Sequence, residues 1–169
     1  MSQDKNIYQW SNRDKFLYFV ILIPLLVAFI EAAYLLATVS IYLTVIFFLL
    51  YLGLNFFQAG CCIGCPYRGK YCPAVFGIYL ANFLSATIYK KRNFEPRFHR
   101  TNATLAGIFV MITFLFPVYW LLVSNWYYLA IFLVLIIGHI ALFYPFICPK
   151  CSYNDTCPGG QAVQKLSSK

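Results

Sequence analysis

Two stretches of this chain are too long and too apolar to be covered by a polar shell. In residues 16–58 the only ionisable side chain other than tyrosine is Glu31, and in residues 105–147 it is His139. A helix rises about 1.5 Å per residue, so about 20 apolar residues cross the hydrocarbon core of a bilayer. Each stretch is therefore long enough for two crossings. The composition agrees: 62% of the residues are hydrophobic and 11% charged, too few charges to coat a soluble core. The first stretch is too long for a signal peptide and lacks a small-residue cleavage site, so it is expected to remain in the mature protein.

Each stretch divides where small and polar residues collect. A break at 37–41 gives helix one as 16–37 and helix two as 41–59. A break at Ser124 and Asn125 gives helix three as 102–123 and helix four as 126–147. Trp120, Trp126, Tyr127 and Tyr128 flank the second break, as in the aromatic belt of a membrane interface. The 13 lysines and arginines avoid both breaks and lie in the tail 1–15, the central segment 60–101 and the tail 148–169. By the positive-inside rule, both termini and the central segment are expected in the cytosol. The expected fold is an all-α integral membrane protein with four transmembrane helices in two tandem hairpins, 16–59 and 102–147.

The central segment contains a further apolar stretch, 73–88, about 24 Å long if helical and short of a full crossing. It lies between Arg68 and Lys70 on one side and Lys90, Lys91 and Arg92 on the other, so it reads as an interfacial or re-entrant helix. Lys90, Lys91, Arg92, Arg97 and Arg100 form a basic surface suited to anionic lipid or an acidic protein partner on the cytosolic face. The net charge of +8 thus belongs to the membrane surface, and no nucleic-acid partner is expected.

Advancing the first half by 86 residues sets Cys62 on Cys148, Cys65 on Cys151, and the turn at 38–40 on 124–126. The pattern is that of a parallel repeat, each half a basic stop, two helices and a cysteine motif. An axis along the membrane normal would bring the two cysteine motifs together.

All seven cysteines follow the second helix of a hairpin. Leaving Cys61 aside as a further candidate, Cys62, Cys65 and Cys72 are spaced Cys-x2-Cys-x6-Cys, and Cys148, Cys151 and Cys157 are spaced Cys-x2-Cys-x5-Cys. A Cys-x2-Cys turn converges two thiolates on one ion, and a third cysteine can return on a short loop. In a reducing compartment these thiols are expected to hold metal rather than form disulfides. Arg68, Lys70 and Lys150 are placed to offset the negative charge of a thiolate cluster.

The spacing of these six cysteines resembles that of the binuclear zinc clusters of fungal transcription factors. The likeness is confined to those six residues; with two membrane helices between the halves, DNA recognition does not carry over. Proline after Cys65, Cys72, Cys148 and Cys157 is similar to the closing Cys-Pro of bacterial ferredoxin motifs, though the Cys-x2-Cys-x2-Cys run of that motif is missing.

Within the bilayer, Glu31 and His139 are the intramembrane polar candidates, expected at different depths and not paired with each other. With only one intramembrane histidine, the chain cannot supply paired ligands to a membrane haem. Pro24 and Pro117 are expected to kink helices one and three. Nucleotide loops, nucleophile elbows and carboxylate pairs are missing, so hydrolysis and phosphoryl transfer find no support. The functional expectation is a membrane redox subunit with an iron-sulfur cluster on its cytosolic face, passing electrons between a soluble partner and the membrane or quinone pool. The alternatives are a non-catalytic membrane module with a zinc-thiolate clamp that recruits a partner, and a soft-metal transporter or thiol oxidoreductase.

Overall fold

The computed structural model describes residues 8–65, 67–73 and 79–151. Every regular element among them is helical: α1 Asn12–Val39, α2 Ile41–Cys61, α3 Tyr79–Thr87, α4 Pro96–Ser124 and α5 Trp126–Phe146, with short 3-10 turns at Cys62–Gly64 and Cys148–Lys150. The helices α1, α2, α4 and α5 are each long and apolar enough to cross a membrane, which makes the chain a multi-pass membrane protein. Exposed side chains along them are overwhelmingly aliphatic and aromatic, the surface that lipid tails solvate.

Two helices begin earlier than their apolar runs. At α1 the Ser11 hydroxyl accepts from the Asp14 amide at 3.2 Å and Asp14 accepts from the Ser11 amide at 3.2 Å, a capping box that starts the helix at Asn12 instead of 16. At α4, Pro96 occupies the first turn, where its missing N–H costs nothing, and the helix starts there instead of at 102. Arg97, His99 and Arg100, which precede the apolar run, thus stand on the opening turns of α4.

The breaks are single residues of matching design. Ser40 (φ −165°, ψ 132°) accepts the Tyr42 amide at 3.3 Å, and Asn125 (φ −172°, ψ 133°) accepts the Tyr127 amide at 3.1 Å. The opposite ends also match. After α2 the Cys65 amide donates to Cys62 O at 3.1 Å, and after α5 the Cys151 amide donates to Cys148 O at 3.1 Å. Cys65 and Cys151 leave their turns with nearly the same backbone, φ −82°, ψ 134° and φ −75°, ψ 124°.

Around the bundle the order is α1, α2, α4, α5, and the most extensive pairings, α2 with α4 and α1 with α5, cross between the halves. The α2–α4 seam is built on small residues: Gly53 faces the Phe109 ring and Gly60 faces the Asn102 side chain, each too close to admit a Cβ. Such residues let helices approach where apolar burial gives no advantage over lipid. On α1, Ala28 and Ala32 are fully buried in the same manner. Pro24 leaves the Val20 carbonyl without its helical donor. The adjacent Ile21 carbonyl accepts from His139 Nδ1 at 2.8 Å, so α5 supplies a donor at the proline site.

The stretch 73–88 becomes helical over Tyr79–Thr87; residues 74–78 lie outside the described ones. Its start is sunk beside α2. Asn55, completely buried and about 9 Å inside the end of α2, accepts the Ala81 amide at 3.1 Å and donates to Tyr51 O at 2.9 Å. Its end returns to Arg68, whose guanidinium donates to Ser85 O at 2.8 and 3.1 Å and to Tyr89 O. Asn82 fastens the preceding turn through the Gly69 amide at 2.9 Å and the Lys70 carbonyl at 2.6 Å; Gly69 has φ 71°, a conformation glycine adopts without strain. α3 thus packs beside the last turns of α2.

Replacing Asn55 by leucine removes the acceptor at the buried start of α3 and should cost about 1–3 kcal/mol. Hydrogen exchange in detergent should rise across α3 and stay unchanged in α5. Unchanged protection of α3 would show that this bond does not hold it.

Candidate thiol site

The end of the bundle opposite Ser40 and Asn125 is closed by a buried cluster that includes Trp10, Tyr18, Tyr67, Phe143 and Ile147. Four cysteines pack against it: Cys65 and Cys72 from the first half, Cys148 and Cys151 from the second. The two 3-10 turns put Cys65 and Cys151 at the edges of this cluster, and Tyr71 brings Cys72 to it. The Tyr71 ring meets Trp10 at 6.3 Å and Tyr18 at 6.4 Å, both edge-on, and Tyr18 meets Phe143 at 6.2 Å. Edge-to-face pairs of this kind add about 0.5–1.5 kcal/mol each beyond their burial.

A polar clasp crosses the same end. Asp14 Oδ1 pairs with Lys150 Nζ at 2.6 Å, while Asp14 Oδ2 accepts the hydroxyls of Ser11 at 2.7 Å and Tyr8 at 2.9 Å. The bond to the Asp14 carboxylate holds the Tyr8 phenol above its ordinary pKa. The first turn of α1 is thereby tied to the cysteine turn that follows α5. Lys15 Nζ lies 5.4 Å from the centre of the Tyr71 ring. Trp10 Nε1–H is buried in the cluster with no hydrogen-bond partner among the described residues.

The remaining candidates are placed as follows. Cys61 points back along α2, its thiol donating to Phe57 O at 3.7 Å, and Cys62 opens the turn that leads to Cys65. Cys157 lies outside the described residues. Among the described residues, no three His, Cys, Asp or Glu side chains stand as a group that could hold a metal ion. Of the basic residues expected to offset thiolate charge, Arg68 is engaged by the α3 carbonyls and Lys150 by Asp14. His139 is fully buried at the level of Ile21, and Glu31 lies about 15 Å farther along α1, so the two do not pair. Glu31 Oε2 is buried with no hydrogen-bond partner among the described residues. Lys90, Lys91, Arg92, Arg97 and Arg100 are all exposed, with Arg92 stacked 3.6 Å from the Phe98 ring centre.

Sequence reasoning passed over Asp14, Trp10, Tyr67 and Tyr71. Asp14 was discoverable, since Ser11 to Asp14 follows the Ser-x-x-acid pattern of a capped helix start. Its partner across the chain was not, because nothing local to Lys150 marks it. Asn55 was likewise passed over: an amide carries no charge and barely lowers the hydropathy of α2.

No family model matches the chain, and no curated protein and no solved structure is significantly similar to it.

The clasp is open to a double-mutant cycle. Asp14→Asn and Lys150→Gln should each lower stability in detergent, because each leaves the other partner without its counter-charge. The double variant should cost less than the sum by about 0.5 kcal/mol or more. Additive losses would show that the pair does not join the two ends.

Proposed function

We propose that the cysteine end of the bundle is a thiolate-ligated metal centre, an iron-sulfur cluster, through which a membrane redox subunit passes electrons between a soluble partner and the membrane or its quinone pool. The observation that carries this reading is the packing of Cys65, Cys72, Cys148 and Cys151, from two distant motifs, against one aromatic cluster. The ligands would come from these four, with Cys62, Cys157 and Cys61 as further candidates from the same motifs. Thiol sites close on their metal, and that binding energy is also folding energy, so ligands gathered but not grouped are compatible with the reading. The buried Trp10 N–H is a donor of the kind that stabilises cluster sulfur and tunes its potential.

The matching turns at Ser40 and Asn125, the matching Cys-x2-Cys turns, and pairings that exchange α1 with α4 and α2 with α5 support an internal parallel repeat of two hairpins. The lysine and arginine distribution supports a cytosolic cysteine end with both termini on that side. A soluble carrier docking there would deliver electrons singly, and a quinone would take two electrons and two protons to become quinol.

One observation favours a second reading. The Asp14–Lys150 pair and the aromatic cluster already hold the same chain ends together, which is the task of a structural clamp. Zinc on the same thiols would then fasten the two halves and present a surface to a protein partner.

Anaerobic purification with metal analysis separates the two readings. Iron with matching acid-labile sulfide and a bleachable visible absorption is expected, and Cys65→Ser and Cys151→Ser should each abolish it. Stoichiometric zinc with no chromophore would end the electron-transfer reading and leave the clamp.

A further inference from the structure

At the same end of the bundle, away from the thiols, a groove of about 370 Å³ opens between the end of α2, the turn after α3 and the first turns of α4. Its upper wall carries Arg92, Glu95 and Arg97; its lower wall carries Phe56 and Leu105, with Thr101 between them. The lower residues belong to the apolar spans, Leu105 lying just beyond Asn102, which packs on Gly60. Polarity therefore changes along the groove in the direction of the membrane normal.

We propose that this groove binds one anionic phospholipid, its phosphate held by Arg92 and Arg97 and its upper acyl chain lying on Phe56 and Leu105. Charge complementarity supports the occupant. The Arg92 guanidinium is pre-oriented by stacking on Phe98. Its link to Glu95 is long, 3.9 Å, between side chains 45% and 59% exposed, so it contributes little and yields readily to a phosphate. Glu95 is the N-cap residue of α4 but makes no side-chain cap, which leaves the first-turn amides of that helix without a side-chain acceptor. A soluble acidic protein could reach the arginines but not the apolar wall at the depth of the spans. A two-tailed lipid reaches both.

Native mass spectrometry of the delipidated full-length protein in detergent, titrated with phosphatidylglycerol or phosphatidylcholine, tests the site. One phosphatidylglycerol should be retained about tenfold more strongly than phosphatidylcholine, and Arg92→Gln/Arg97→Gln should erase that preference. Lys90→Gln/Lys91→Gln removes the same charge outside the groove lining and should weaken retention by a smaller factor while keeping the preference for phosphatidylglycerol. Glycerophosphate, which has the anion but no chains, should not displace the lipid. If the arginine variant misfolds, Thr101→Trp, which fills the groove and keeps every charge, should also lose the bound lipid. Equal loss from the lysine and arginine variants would overturn the proposal in favour of diffuse attraction. So would displacement by glycerophosphate, absence of a headgroup preference, or retention of the lipid by Thr101→Trp.

Discussion

Inside a bilayer, a backbone N–H or C=O that finds no partner costs several kcal/mol, and no water is present to supply one. Most of this structure follows from meeting that demand. The four spans satisfy their own interiors. Where the helical pattern is interrupted, a specific side chain takes over: Ser40 and Asn125 cap the helices at the turns, His139 donates beside the Pro24 site, and Asn55 and Arg68 receive the two ends of α3. These polar residues are few, buried or at helix ends, and each has a backbone partner.

The same arrangement builds the thiol site. Because α1 and α4 both start at the end where α2 and α5 finish, the segments that follow α2 and α5 meet over the start of α1. The Asp14–Lys150 pair joins the first turn of α1 to the second cysteine turn. Burial and pairing thus set cysteines from distant parts of the chain against one aromatic cluster.

The four spans and the two turns were legible in the sequence because hydropathy reports directly on the solvent each residue meets, and the cysteine end because the cysteines follow the second and fourth spans. Helix starts at Asn12 and Pro96 were not, because capped polar turns extend a helix beyond its apolar run. That Cys65 and Cys151 both lie at the cysteine end follows from their places just after the second and fourth spans. Which cysteines reach the aromatic cluster does not. Cys62 and Cys148 are equivalent by spacing, yet Cys148 packs against the cluster while Cys62 opens the turn after α2.

The central claim is that the two cysteine motifs share one site. Its most direct test is a variant retaining only Cys65 and Cys151, treated with a mild oxidant and then cut by trypsin at the exposed Lys90, Lys91 and Arg92 between the halves. If the motifs converge, the two halves run as a single band on a denaturing gel and separate only after reduction. Two fragments before reduction, with cross-links only between molecules, would contradict a shared site.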